Sequence, residues 1–439
     1  MKRAPIRRAA LAYSGGLDTS IIVHWLKANY GCEVVCYCSD VGQGAELEGL
    51  ERRARAVGAA DVVVEDLRES FLTDFAFPAL RAGAVYEGRY LLGTSLARPL
   101  IAARQVACAE RTGCDALAHG CTGKGNDQVR FELTYRALAP QLPVIAPWRE
   151  WDIVSREDAL VYAERHGIPV PVKSGDLYSR DGNLWHLSHE GGPLEDPAAS
   201  APEEMFRLSA APDARPSEPE RVRIGFESGA PTALDGRRLD PVALVTRLNS
   251  LAGRHGVGRA DLVESRVVGM KSRGVYETPA GTVLHEALED LCRLTLPHDL
   301  LRTRAELGPR MADLIYAGLW FTPLRRSLQA FADVALEHAT GEVTVELFQG
   351  RATVIARHSP HSLYRPDLAS FDMTGYQAKD AEGFIRLFGL PLAEMARRDL
   401  GVQEGQVLAA VDGVSASTEP GGAADSASAP TPAGARGDD

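Results

Sequence analysis

The 439-residue chain has no apolar run approaching the roughly 18 residues that cross a bilayer, so a membrane-spanning helix is not expected. Its opening, MKRAPIRRAA, is basic but lacks the apolar stretch of a secretory signal, and residues 1–8 read as a solvated lead-in. Positive charge is in deficit: 48 Lys and Arg face 59 Asp and Glu, a net charge of −11. An extended nucleic-acid interface needs a basic face, so neither nucleic acid nor a membrane is expected as a partner. Cysteine is sparse. The seven are odd in number and have no metal-ligand spacing, which speaks against a disulfide framework or a zinc site. They read as reduced thiols in a reducing cytoplasm. Neither common nucleotide loop is present, G-x-x-x-x-G-K-[ST] or G-x-G-x-x-G, and there is no Ser/His/Asp or Cys/His constellation for covalent catalysis.

What is present is the composition of a soluble globular enzyme, 45% hydrophobic and 24% charged, at a length that favours two domains. Early in the chain, strand patterns alternate with helical ones. AALAY, EVVCYC, DVVVED, DALAHG and PVIAPW are short apolar strands. SIIVHWLKA, ELEGLERRARAVG and LARPLIAARQVACAERTG have helical spacing, the last two closed by Gly58 and Gly113. Such alternation predicts βαβ units and a parallel sheet covered on both faces. Cys36 and Cys38, two apart, share one face of their strand.

SREDALVYAERHG begins with a capping box, Ser155 and Asp158. The pattern then changes, and the domain boundary is placed near 170. Residues 196–220 read as a surface excursion rich in Pro, Ala, Glu and Ser. GEVTVELFQGRATVIARH alternates with period two on either side of Gln349 and Gly350, which predicts a hairpin. The fold expected is α/β: a nucleotide-binding domain with a parallel sheet over 9–170, then an α+β domain with antiparallel strands over 171–414. Residues 415–439 have almost nothing to bury and are expected to be disordered.

LAYSGGLDTS, residues 11–20, joins the first strand to the first helix, the end of an open α/β sheet where ligands bind. Gly15 and Gly16 permit a tight turn whose N–H groups converge on an anion, and the helix directs its positive end there. Ser14, Thr19 and Ser20 add hydroxyls. Asp18 would repel a bare phosphate, so it either meets Mg²⁺ or caps the helix.

In RYLLGTSLARP, Thr94 or Ser95 reads as a helix N-cap. HGCTGKGNDQVRFE, residues 119–132, concentrates more chemistry. Gly120, Gly123 and Gly125 admit close approach, and Lys124 is a point charge for phosphate. Asn126 and Asp127 suit an amino acid's ammonium, and Arg130 can clamp a carboxylate in two bonds. YSRDGNLWHLSHEGGPLEDP carries Ser179 and Ser188. VGRADLVESRVVGMKSRGVYETPAGTVL carries Glu264, Lys271, Arg273, Tyr276 and Glu277, with a solvated β-hairpin as its plain alternative.

The first loop resembles the SGGxD[ST]S loop of the ATP pyrophosphatases, which cleave ATP between its α and β phosphates. All five segments, in this order, resemble the argininosuccinate synthase family from about Ala9 to residue 410. The resemblance implies an ATP pyrophosphatase-type N-terminal domain followed by a synthetase domain with a helical oligomerisation part. It implies ATP-dependent ligation of citrulline and aspartate, through a citrullyl-adenylate, to argininosuccinate, AMP and pyrophosphate, as a step of arginine biosynthesis in a cytoplasmic homotetramer.

It further implies that Ala12, Tyr13, Ser14, Gly15, Gly16, Leu17, Asp18, Thr19 and Ser20 cradle ATP, with its Mg²⁺, alongside Ser39 and Gly120. Thr122, Asn126 and Asp127 would hold aspartate. Tyr90, Ser95, Asn126, Arg130, Ser179, Ser188, Glu264 and Tyr276 would hold citrulline. Lys124 is the candidate for phosphate stabilisation, and no residue is singled out as general base. Ser39 and Cys121 stand where a small alanine is common in the family. The competing readings are another ATP pyrophosphatase, such as a tRNA-thiolating enzyme, and a non-catalytic nucleotide-binding protein.

Overall fold

A computed structural model of the chain describes residues 5–169, 177–370 and 375–400. The proposed disordered tail, 415–439, lies outside the described residues. The first sheet contains β1 (Arg8–Ala12), β2 (Glu33–Asp40), β3 (Asp61–Asp66), β4 (Ala116–Ala118) and β5 (Val144–Ile145). Its order is β3-β2-β1-β4-β5, with every pairing parallel. Interleaved are α1 (Leu17–Tyr30), α2 (Leu50–Ala56), α3 (Arg68–Phe71), α4 (Phe77–Arg81), α5 (Gly93–Thr112), α6 (Asp127–Leu138) and α7 (Arg156–Arg165).

The strands read as unbroken apolar runs because both faces are covered. Leu11, Cys36 and Cys38 pack with Ile21 and Ile22 of α1 and Ala159 of α7. Ala10, Val35 and Tyr37 pack on the other side with Val106 of α5 and Phe131 and Tyr135 of α6. The two cysteines share a face, as their spacing requires. After β1 the chain winds outward to β3 and returns to β4 on the opposite side of β1. The carboxyl ends of β1 and β4 therefore flank the topological switch point, where such sheets open a crevice.

Two local expectations fail. ELEGLERRARAVG is not one helix: Gly49 sits at φ +65° and divides it into a 3₁₀ turn, Gly44–Leu47, and α2. Neither Thr94 nor Ser95 is an N-cap. The helix starts one residue earlier, from Leu92 at φ +63°, so both hydroxyls lie inside its first turn. The capping box at Ser155 and Asp158 does form, with both reciprocal bonds.

Further on lie β6 (Ser179–Gly182), β7 (Leu187–Glu190), β8 (Glu220–Glu227), β9 (Ala230–Leu234), β10 (Arg237–Arg238), β11 (Arg259–Ser265), β12 (Lys271–Glu277), β13 (Gly341–Phe348) and β14 (Arg351–His358). They form two antiparallel sheets, β10-β9-β8-β13-β14 and β11-β12-β7-β6. The β13–β14 hairpin turns on Gln349 and Gly350, at φ +48° and +83°, the two positive values of the turn that matches strand twist. Between and beside the strands run α8 (Pro241–Arg254), α9 (Pro279–Thr295), α10 (His298–Tyr316) and α11 (Pro323–Ala335).

One large core joins these elements to residues of the 67–100 segment, including Phe71, Leu72, Tyr90 and Leu96. Residues 196–220 are irregular but anchored, for Met205 packs on Leu194 and Val275. Contacts divide the chain into two compact units, residues 1–364 and 365–439. The second contains α12 (Pro366–Ala369), α13 (Ala378–Phe388) and α14 (Leu390–Leu400).

Candidate active site

The end at β1 and α1, where a nucleotide is expected, is made mostly of backbone. Gly15 adopts φ +77°, which side-chain-bearing residues rarely adopt, and a Cβ there would only crowd the movable guanidinium end of Arg53, 3.0 Å away. Gly16 is the N-cap of α1, and no side chain caps the helix. Asp18 is therefore not the cap, and the first-turn N–H groups face the loop as an anion site. Ser14 Oγ and Thr19 Oγ1 are 3.2 Å apart, and Tyr13 Oη lies 3.3 Å from Ser20 Oγ. Burial pushes the Asp18 carboxyl up, and the Arg156 guanidinium only partly opposes this. A carboxylate in that position gains from a cation.

Gly120 closes the crevice from β4. A Cβ there would lie 3.0 Å from Ile22 Cδ1 and 3.2 Å from Thr19 Cγ2, so the loop after β4 packs against the first turns of α1. Ser39, at the end of β2, is buried and donates to Tyr37 Oη at 3.0 Å. Gln43 fixes the turn beyond it by donating to Ser39 O and accepting from Val41 N.

The other end, where the amino acids are expected, is made of side chains. Tyr90 stacks on Tyr276 with centroids 4.2 Å apart, and Tyr86 stacks on Tyr316 at 3.7 Å. Glu264, 4% exposed, lies between two of these rings: Tyr276 Oη donates to Oε2 at 2.7 Å and Tyr316 Oη to Oε1 at 2.5 Å. The hairpin predicted for this segment exists, but Glu264 and Tyr276 are buried rather than solvated. Asn126 Nδ2 donates to Tyr316 Oη at 2.8 Å, and Oδ1 accepts from Val267 N at 2.9 Å.

Asp127 is held between Arg98 Nε at 2.9 Å and Arg130 Nη1 at 2.8 Å. Burial disfavours its charge, yet the two guanidiniums outweigh that and keep its pKa below the usual carboxylate range. Asp181 shares Arg98 through Nη2 and accepts from Thr94 Oγ1 at 2.7 Å. Because Thr94 donates to Asp181, it accepts from His186 Nε2 at 2.9 Å. Burial lowers the His186 pKa to about 4, so the ring is neutral. Arg266 ties the rim together, reaching Glu190 at 2.6 Å, Ser272 Oγ at 2.6 Å and Lys124 O at 3.3 Å.

The profile of the arginosuccinate synthase N-terminal HUP domain matches residues 8–169, and that of the arginosuccinate synthase C-terminal domain matches residues 178–395. The chain belongs to the argininosuccinate synthase family. Among its relatives, the argininosuccinate synthase of Roseiflexus sp. (strain RS-1) is 58% identical over 395 residues, covering 90% of this chain and 97% of the relative. That of Carboxydothermus hydrogenoformans is 57% identical, covering 88% and 96%. The argininosuccinate synthase, chloroplastic, of Arabidopsis thaliana is 56% identical, covering 89% and 79%.

Against the family expectation, the structure brings Tyr90, Asn126, Arg130, Glu264 and Tyr276 into one contact network. Ser188 is in register with Tyr276 and buried, and Ser95 is buried in α5 beside the Tyr90 hydroxyl. Ser179 stands exposed at the outer end of β6, and Thr122 and Lys124 are exposed on their loop. Arg130 does not offer a free fork. Nε donates to Tyr316 O at 2.9 Å and Nη1 to Asp127, so two bonds already go to the protein. Asp127 likewise enters as half of an ion network rather than as a bare acceptor for ammonium.

Two other singled-out residues are structural. Buried Glu277 accepts from His189, Ser209 and the amides of Arg207, Leu208 and Ser209, pinning the 196–220 excursion to β12. Arg273 pairs with Asp261 and reaches Asp196 O. Sequence reasoning missed Thr94, Arg98, Asp181, His186 and Arg266, all inside or beside quoted motifs, and Tyr316, which lies in none of them.

Proposed function

We propose that the chain joins citrulline to aspartate using ATP and releases AMP and pyrophosphate. The supporting observation is the 119–132 segment, which meets the uncapped start of α1 at Gly120 and the Glu264-centred tyrosine cluster at Asn126. Residues 12–20, Ser39 and Gly120 bind ATP. Asp18, the first-turn carboxylate whose burial favours a nearby cation, is the residue that would meet Mg²⁺ arriving with the nucleotide. When bound, the ion neutralises phosphate charge.

The citrulline ureido oxygen attacks the α-phosphorus and pyrophosphate leaves. The α-amine of aspartate then attacks the activated carbon and AMP leaves. No protein nucleophile takes part, and a phosphate oxygen of the intermediate accepts the amine proton. Catalysis rests on positioning and charge stabilisation. Glu264, Tyr90, Tyr276, Asn126, Arg130 and the Ser188 strand orient citrulline. Thr122, Asn126 and Asp127, the last held by Arg98 and Arg130, receive aspartate, and Lys124 reaches phosphate from its exposed loop.

A thiolating activity finds no support in the site. Cys121 is the cysteine of the substrate loop, and burial pushes its thiol far above the ordinary range, away from the reactive thiolate. The large apolar side chains exposed on α13 and α14, among them Phe384, Phe388 and Leu392, support assembly into a tetramer through this part. Among the described residues no helix is long and apolar enough to cross a membrane, and the seven free cysteines fit a reducing cytoplasm. The domain limits that accompany this reading are 9–170 for ATP and 171–414 for the amino acids and assembly.

The test is pyrophosphate release from ATP and Mg²⁺ with each amino acid omitted in turn. The expected result is release that requires citrulline, with argininosuccinate formed only when aspartate is also present. Release indifferent to citrulline would overturn the substrate assignment.

A further inference from the structure

We propose that Tyr316 is a positioning residue for citrulline: from the end of α10 it fixes Glu264, Asn126 and Arg130 without touching substrate itself. The inference rests on the citrulline assignment above and adds a residue that no sequence motif marks.

Tyr316 is the last residue of α10 and is 2% exposed. Its hydroxyl is committed on both sides, donating to Glu264 Oε1 and accepting from Asn126 Nδ2. That donation settles the Asn126 amide, because only Nδ2 can give a proton to an oxygen already donating elsewhere. Val267 N, donating to Oδ1, confirms the same orientation. The Tyr316 carbonyl, at the negative end of its helix, accepts from Arg130 Nε at 2.9 Å. The ring lies under the same guanidinium, 4.9 Å from Cζ to centroid.

The approach is enforced two residues on. Gly318 has φ +76°, and a Cβ there would lie 2.6 Å from Arg130 Cα. Any side chain at 318 would push the helix end off α6. Burial and the neighbouring Glu264 carboxylate push the Tyr316 phenol far up, so it remains a donor throughout the working pH range. Glu264 thus meets substrate with one oxygen held by Tyr276 and the other by Tyr316. A carboxylate fixed at both oxygens cannot rotate to a second geometry.

Tyr316→Phe removes only the hydroxyl. It keeps the ring stack on Tyr86, the cation–π contact and the backbone bond to Arg130, so the fold is retained. The expected result is a citrulline KM raised about tenfold or more, since the hydroxyl's bonds to the charged Glu264 and from Asn126 are both lost, with kcat and the ATP KM within about twofold of the parent. In a Glu264→Gln background the same substitution should have a clearly smaller effect, because the two act through one contact.

Equal changes in all three substrates' KM values together with a lowered Tm, or additive effects in the double variant, would overturn the positioning role and leave an ordinary core tyrosine. Glu264→Gln by itself separates the two levels. If that variant leaves the citrulline KM untouched, the citrulline assignment fails, and the role of Tyr316 with it. If Glu264→Gln raises the KM and Tyr316→Phe does not, only the role of Tyr316 fails.

Discussion

The nucleotide end of the crevice comes from one loop, one helix terminus and two glycines. The amino-acid end comes from side chains on α5, α6, β11, β12 and the end of α10, with β6 and β7 behind them. The first is local. It needs a strand, a turn and a helix in sequence, and most of its donors are backbone N–H groups, joined by the Ser14, Thr19 and Ser20 hydroxyls and by Lys124 from the 119–132 loop. The second is assembled over long range, and most of its polar atoms are already bonded to one another. Damage at the nucleotide end should therefore be steep and confined to ATP. Damage at the amino-acid end should be graded and shared among neighbours.

The steepest break is expected at Gly15→Ala. Arg53 can swing its guanidinium away from the new Cβ, but φ +77° is strained for alanine, and relief of that strain shifts the loop from its anion site. Displacing even one such donor costs on the order of 100- to 1000-fold in rate. Citrulline-dependent pyrophosphate release measures this. A loss below about tenfold would mean that the loop amides do not hold the phosphates.

Lys124→Ala comes next and probes a side chain at the same end. Lys124 is exposed and its carbonyl is held by Arg266, so the loop should keep its course without the ammonium. Turnover is expected to fall about a hundredfold at saturating substrates, and a fall of less than about threefold would remove Lys124 from the mechanism.

How much of each end could be read from the sequence follows the same division. The glycine turn and the helix after it follow from residues within twenty positions of one another, and the parallel sheet follows from a repeated local strand–helix alternation over residues 9–148. Pattern alone also places the capping box at Ser155 and the hairpin at Gln349. The amino-acid end was legible only as residue types. Asn126, Asp127 and Arg130 look like three binding groups in a row, and spacing cannot show that Asp127 already holds Arg98 and Arg130, or that Arg130 also serves Tyr316. Glu277 sits in a motif as chemically dense as that of Glu264, yet it closes on backbone amides of the 207–209 segment. Only the tertiary fold separates the two glutamates. Tyr316 shows the limit most plainly: its helix is an ordinary amphipathic one in sequence, and its role arises because Gly318 lets the helix end reach α6.

Arg130→Lys tests the graded end. Lysine keeps the charge but not a planar fork that can serve Tyr316 O and Asp127 together. The citrulline KM is expected to rise about tenfold, with a smaller change in kcat and none in the ATP KM. An unchanged citrulline KM would show that Arg130 is dispensable to the pocket. A raised ATP KM would show that the two ends are coupled and would break the comparison itself.

The smallest effect is expected at Ser39→Ala, and its smallness is informative. Ser39 lies at the nucleotide end, yet its hydroxyl points into the protein, donating to Tyr37 Oη, which in turn donates to Glu65 Oε2 at 3.1 Å. Its contribution to ATP would then be its place in the backbone after β2, held by Gln43. Removing the hydroxyl should cost about 1 kcal/mol of stability, one buried hydrogen bond, while the ATP KM stays within about twofold. Thermal unfolding and the ATP KM together decide the matter. A stability loss with an unchanged KM confirms that this end works through backbone. A KM raised well beyond that range would mean that the nucleotide is read by side chains as well, and the contrast between the two ends would have to be redrawn around Ser39.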